Sequence, residues 1–233
     1  MKNPNELKIA IDSAETTALA YAAEGHHRIG ATLILAHGAG AGQHSAFMVD
    51  FARALAALGL DVVTFNFLYT EQRRRIPDRA PALEACYRAV VEFVHGAVDS
   101  AATHLFIGGK SMGGRIATHI AAADARLPVD GLVLLGYPLH PPGRPDQKRD
   151  RHLPSIVKPM LVVQGSRDTF GLPAELHPVL ARISPQPTLE IVAECDHSFK
   201  LSRRNPAAQA AVYANVQGTI ANWIASQIRR GSG

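Results

Sequence analysis

The stretch Gly108-Gly109-Lys110-Ser111-Met112-Gly113-Gly114 decides how the rest of the chain is read. It fits the pattern Gly-x-Ser-x-Gly, and its flanks give that short pattern weight. Before it, Thr103-His104-Leu105-Phe106-Ile107 is β-branched and apolar and predicts a buried strand. After it, Arg115-Ile116-Ala117-Thr118-His119-Ile120-Ala121-Ala122 predicts a helix. A serine between strand and helix sits on a strained, tight turn where only small neighbours fit, and a doubled glycine on each side supplies them. The helix N-terminus beneath such a serine also turns backbone N–H groups toward an oxyanion formed there. Glycine and serine are common turn residues, so the pattern alone decides little. Strand, turn and helix together make it a nucleophile elbow.

Outward from the elbow, strands and helices alternate, which predicts an α/β fold: a mainly parallel, doubly wound sheet with helices on both faces. Residues 17–22 read as an edge strand and residues 7–11 as a weaker one. Residues 31–36 form a short buried strand that enters the loop His37-Gly38-Ala39-Gly40-Ala41-Gly42. A helix follows from about Ser45, with Phe47, Phe51, Leu55 and Leu58 on one face and Gly59 as its stop. Residues 61–67 are the next strand. Leu83, Tyr87, Val90, Val91 and Val94 mark a helix face behind Pro81, a good first-turn residue. Strands are expected at residues 131–136, 160–164 and 188–192. Val212, Val216, Ile220, Trp223, Ile224 and Ile228 mark a closing amphipathic helix. Between residues 137 and 159 lies a proline-rich, charged connection that leaves room for little or no cap.

The chain has 233 residues, 47% of them apolar and 19% charged. That length and composition suit one globular domain over residues 1–230, with Gly231-Ser232-Gly233 set aside as linker. The formal charge is +4, with no basic helix or aromatic-interleaved patch, so no nucleic-acid partner is expected. The start of the chain lacks the apolar core of a signal peptide, and no apolar run reaches the roughly 18 residues a membrane span requires. The two cysteines, Cys86 and Cys195, make no disulfide framework and point to a reducing, cytoplasmic setting.

A serine hydroxyl needs a base to take its proton, and that base needs an acid to hold its tautomer. On an elbow scaffold the acid and then the histidine follow the serine, each just after a strand. Asp168 meets the first condition in Gly165-Ser166-Arg167-Asp168, and His197 the second in Asp196-His197-Ser198-Phe199. Taken singly, Asp168 is also what a helix-capping turn aspartate looks like, and His197 a solvated loop histidine. Three matches in the required order make Ser111, Asp168 and His197 the expected catalytic set. The expected oxyanion donors are the N–H groups of Met112 and Ala39, with Gly40 as second choice. No Gly-Lys-Ser/Thr follows Gly42, which argues against a phosphate-cradling loop. The remaining histidines, His26, His27, His37, His44, His95, His104, His119, His140, His152 and His177, show no metal-ligand spacing, so neither metal nor cofactor is expected. His37 should orient its own loop, while Asp196 and Cys195 read as loop-structuring and packing residues. The cluster Arg73-Arg74-Arg75 follows a strand toward the same end of the sheet. Either it is a solvated loop, or it grips an anionic group of the substrate.

The glycine loop, Gly-Lys-Ser-Met-Gly-Gly-Arg, Gly-Tyr-Pro-Leu-His-Pro-Pro-Gly, Gln-Gly-Ser-Arg-Asp-Thr-Phe-Gly and Asp-His-Ser-Phe together resemble an α/β-hydrolase. They are most similar to the small dienelactone-hydrolase-like and testis-expressed hydrolase-like branch. The resemblance runs from residue 31 to the C-terminus and implies the α/β-hydrolase fold, nucleophile Ser111, acid Asp168 and base His197. Dienelactone hydrolases proper use cysteine as nucleophile, so their substrate does not carry over to a chain with Ser111. The expected activity is hydrolysis of a small-molecule carboxylic ester or thioester. An acyltransferase or perhydrolase would use the same residues. Some relatives of this branch serve as subunits of larger assemblies, which keeps a non-catalytic scaffold as the rival from another class.

Overall fold

A computed structural model describes residues 3–24, 28–203 and 205–231; His26, His27, Ser232 and Gly233 lie outside the described residues. Eight strands form one sheet in the order β1-β2-β4-β3-β5-β6-β7-β8. The hairpin β1 (Asn5–Ile11) and β2 (Ala14–Tyr21) turns at Asp12-Ser13, where Asp12 has φ 51°, a conformation that aspartate tolerates better than most residues. β2 runs antiparallel to β4 (Asp61–Phe65), whereas β4, β3 (Thr32–Ala36), β5 (Leu105–Lys110), β6 (Gly131–Leu135), β7 (Met160–Gly165) and β8 (Thr188–Val192) are parallel neighbours. The expectation of an edge strand at residues 17–22 is corrected by this pairing. β2 lies between two partners because all of β1 pairs with it, and the outer positions fall to β1 and β8.

Alternation along these strands builds the two faces. Ile34, Val63, Phe65, Ile107, Leu132, Leu134 and Val162 point to one side and pack under α3 (Ala80–Ala97), α5 (Met112–Ala123) and α6 (Pro173–Leu180). Leu33, Leu35, Val62, Phe106, Val133, Leu135, Leu161 and Val163 point to the other and pack under α1 (Ala46–Ala57) and α7 (Pro206–Gly231). A strand buried on both faces reads as an unbroken apolar run, which is why these central strands stand out in the sequence.

Several strand ends move by one to three residues from expectation, and four boundaries differ in kind. Thr103 ends a short helix, α4 (Asp99–Thr103), and the strand expected to begin there starts at Leu105 and runs on to Lys110. Leu58 lies beyond α1 and is exposed, while Met48, Ala52 and Ala56 complete the buried face. The strand expected to reach residue 67 stops at Phe65, because Asn66 and Phe67 lead into a one-turn helix, α2 (Leu68–Glu71). Gly231 is the last residue of α7 rather than linker.

β5 can run through its glycine pair because no side chain intervenes: a Cβ on Gly108 would strike the Val133 carbonyl. At the start of α5 a Cβ on Gly113 would stand 2.5 Å from the Ala36 carbonyl oxygen, so the helix base lies directly on β3. The connection from 137 to 159 carries one 3₁₀ turn, Leu153–Ser155, and no α-helix. It folds down against α5, with Leu139, Leu153 and Ile156 buried and His152 bonded to Thr118 at 2.8 Å. Nothing in it forms a helical cap over the carboxyl ends of the strands. No helix among the described residues is long and apolar enough to cross a membrane.

Candidate active site

The carboxyl ends of β3, β5, β7 and β8 bring their loops together, which is where open α/β sheets build their sites. Ser111 stands between β5 and α5 with φ 51° and ψ −113°, its N–H donating to the Leu135 carbonyl at 2.9 Å. That backbone is strained for any residue with a Cβ and is held by the strand before it and the helix after it.

Three side chains form one line. Ser111 Oγ lies 2.8 Å from His197 Nε2, and His197 Nδ1 lies 2.7 Å from Asp168 Oδ2. Asp168 is fully buried and also accepts the Phe170 N–H at 2.8 Å and Gln164 Nε2 at 2.7 Å. Alongside those donors, Oδ2 accepts from the His197 Nδ1–H. Nε2 is therefore the free lone pair that faces the serine hydroxyl. Phe170 stacks on the imidazole, with ring centroids 4.2 Å apart, and fixes its plane. Such a line can lower the cost of serine attack on a carbonyl, because the proton has a base within hydrogen-bond reach.

Ser111 and His197 open onto a cavity of about 450 Å³, walled by Ala39, Phe47, Lys110, Phe170 and Tyr213 among others. Ala39 belongs to this wall, whereas Gly40, with φ 71°, does not. Met112 is the first residue of α5, so its N–H has no carbonyl one turn back within that helix. A larger hollow of about 660 Å³, bounded by Arg167, Glu194 and Asn205, contains none of Ser111, His197 and Asp168.

His37 orients the loop that carries Ala39, as expected. Its Nε2 accepts the Phe67 N–H at 3.2 Å, which leaves Nδ1–H to donate to the Gly38 carbonyl at 2.8 Å. Burial lowers its pKa and keeps the ring neutral, the state that both bonds require. Asn66 Oδ1 holds the Gln43 N–H at 2.9 Å, and Glu71 in turn takes Asn66 Nδ2 and the Thr17 N–H, both at 3.0 Å. Asp196 structures its loop by accepting the N–H groups of Ser198 and Lys200 at 2.8 and 2.9 Å. Cys195 is buried in the α1/α7 core, and burial pushes its thiol up.

Arg73, Arg74 and Arg75 do not line the cavity. All three are exposed, and Arg74 is taken up by Asp78 at 2.6 Å. Glu71 ties α2 back to Thr17 of β2, so the segment leaves on the far side of β3 from Ser111. His44 is exposed and also stands off the wall. Three residues at the site escaped the sequence reading. Gln164 was visible as a polar residue ending an apolar strand four positions before Asp168. Phe170 and Lys110 gave no signal, since their positions depend on contacts distant in sequence. Among the described residues no group of three His, Cys, Asp or Glu side chains is placed to hold a metal ion.

A family model described as an alpha/beta hydrolase domain matches residues 29–225. Among solved structures, an α/β serine hydrolase without lid from Xanthomonas campestris is 22% identical, with a TM-score of 0.72 over 99% of this chain and 95% of that one. A dienelactone hydrolase from Anabaena variabilis is 20% identical, with a TM-score of 0.69 over 93% and 97%. Est1E from Butyrivibrio proteoclasticus is 14% identical, with a TM-score of 0.69 over 93% and 99%. At these identities the likeness is one of fold.

Proposed function

Since the chain belongs to the alpha/beta hydrolase domain family, we propose that it is a serine hydrolase acting on a small-molecule carboxylic ester or thioester. The observation that carries this reading is the unbroken line from Ser111 Oγ through His197 to the buried Asp168, with steps of 2.8 and 2.7 Å.

In this reading His197 Nε2 takes the Ser111 proton as Oγ bonds to the carbonyl carbon. The carbonyl electron pair moves onto oxygen, and the N–H groups of Met112 and Ala39 bind the oxyanion. Collapse of the tetrahedral intermediate breaks the bond to the leaving alcohol or thiol, which receives its proton from His197. Water then attacks the acyl-enzyme; His197 takes one of its protons and returns it to Ser111 Oγ, freeing the acid. Asp168 holds the tautomer and stabilises the imidazolium without itself accepting the proton.

Incubation with a fluorophosphonate followed by peptide mass spectrometry should place the adduct on Ser111. Ser111→Ala should abolish labelling and lower turnover of p-nitrophenyl esters about 10⁴- to 10⁶-fold. An adduct on Cys195 or on another serine, or turnover that survives in Ser111→Ala, would sink the assignment. Product analysis with added alcohol, thiol or peroxide tells water from another acyl acceptor.

A further inference from the structure

Lys110 is 8% exposed, yet among the described residues its ammonium has no hydrogen bond and no ion pair. The side chain rises on the α1/α7 side of the sheet: Phe106 packs in that core, and two steps of two residues along β5 put Lys110 on the same face. This is the face from which Phe47 and Tyr213 wall the cavity, and Lys110 is part of that wall. Its Nζ, the His197 carbonyl and the Nδ1 edge of the His197 ring all close on Gly136. A Cβ built on Gly136 would stand 3.1 Å from Lys110 Nζ and 3.2 Å from His197 Nδ1. Asp168 and Asp196 are the carboxylates that act on it, but neither comes within ion-pair distance. Both are already engaged: Asp168 by Gln164, Phe170 and His197, and Asp196 by the Ser198 and Lys200 N–H groups.

The little exposure that Lys110 keeps includes its ammonium, which has three donors and no acceptor from the protein. A lysine held this way is costly, and departures of this kind are expected at functional sites. Phe47 and Phe170 offer the cavity apolar walls, and the exposed side chains of Lys200 and of Asp50 on α1 also line it. We propose that the substrate bears a carboxylate in addition to its scissile ester or thioester, and that this carboxylate enters the Ser111 cavity and pairs with Lys110. The inference rests on the hydrolase reading and assigns to Lys110 the anion-gripping role that the sequence offered to Arg73, Arg74 and Arg75. Burial brings the pKa of Lys110 down to about 8, against a partial rise from Asp168 and Asp196, so the ammonium persists at neutral pH and is lost above it.

The test compares mono-p-nitrophenyl adipate, which keeps a free carboxylate, with the same molecule capped as a methyl ester. The ratio of their kcat/KM values cancels whatever a change does to the chemistry shared by both esters. The wild type should favour the free acid tenfold or more at pH 7 and low salt, chiefly through KM. That ratio should fall toward one as pH rises through about 8, and should be near one in Lys110→Met, whatever the absolute rates of that variant. The pH series uses wild-type protein alone, so the inference stays testable should Lys110→Met fail to fold. A wild-type ratio near one, with the capped ester turned over, overturns the inference and leaves the hydrolase reading standing. A ratio that survives both Lys110→Met and high pH overturns the role of Lys110. If neither ester is cleaved and no fluorophosphonate adduct forms, the hydrolase reading falls and takes this inference with it.

Discussion

Asp168 has no exposure to solvent, and donors converge on its carboxylate from three directions; Gln164 supplies the one that is easiest to overlook. The amide of Gln164 also donates to the Gly171 carbonyl at 2.8 Å, while its Oε1 accepts the Tyr137 N–H at 2.8 Å. One side chain thus ties the end of β6 to the turn that presents the acid. Gln164→Met keeps the volume and deletes these bonds, leaving buried polar groups unpaired at about 1–3 kcal/mol each. The variant should lose that much stability in urea unfolding and at least tenfold in kcat/KM, because Asp168 would no longer hold His197 in one orientation. Full activity in a measurably destabilised Gln164→Met would show that Phe170 and His197 alone suffice to place the carboxylate.

At the level of elements, the elbow is held from below by α3. Tyr87 is fully buried, and its hydroxyl accepts the Gly108 N–H at 2.9 Å while donating to the Gly108 carbonyl at 2.6 Å. Tyr87→Phe removes the partner of both backbone groups three residues before Ser111. We expect a loss of about 1–3 kcal/mol, read as a lower denaturant midpoint with an unchanged m-value. An unaltered midpoint would mean that water or a shift of β5 satisfies Gly108. The same element shows what a sequence can and cannot disclose. Leu83, Tyr87, Val90, Val91 and Val94 are legible as one helix face because 3.6-residue periodicity is local. That the Tyr87 hydroxyl reaches Gly108 is not local, since α3 and β5 meet only after the sheet forms. The central strands were equally plain, and so was the order Ser111, Asp168, His197. The one-turn helix α2 and the five-residue α4 (Asp99–Thr103) are too short to show a period. The Arg73-Arg74-Arg75 cluster, readable from sequence as a solvated loop or as an anion grip, stands off the cavity for a related reason. A strand end gives the direction in which a loop leaves, but a single distant contact, Glu71 to Thr17, turns it aside.

Over the whole molecule, stability should depend on pH through histidines that fold neutral. Burial, then the neighbouring His119 and Arg115, pushes His152 down to about 4, and burial lowers His37 as well. An unfolded histidine takes its proton near 6.5, so below that pH the unfolded chain binds more protons than the folded one and stability falls with pH. We expect a level melting temperature between pH about 7 and about 8, a decline from about 6.5 to about 4, and a shallower decline in His152→Asn. A flat profile down to pH 5 would mean that these rings protonate as readily in the fold as out of it. A last consequence belongs to descent rather than to energetics, and it comes from the φ of 51° at Ser111. Glycine occupies that backbone at less cost than serine. In a lineage still selected for the reaction, stability gained at this position is stability forgone. In a lineage released from it, as a scaffold subunit would be, mutation to glycine becomes the downhill step. Residue 111 is therefore where the history of such a chain would be written first, before any change in its fold.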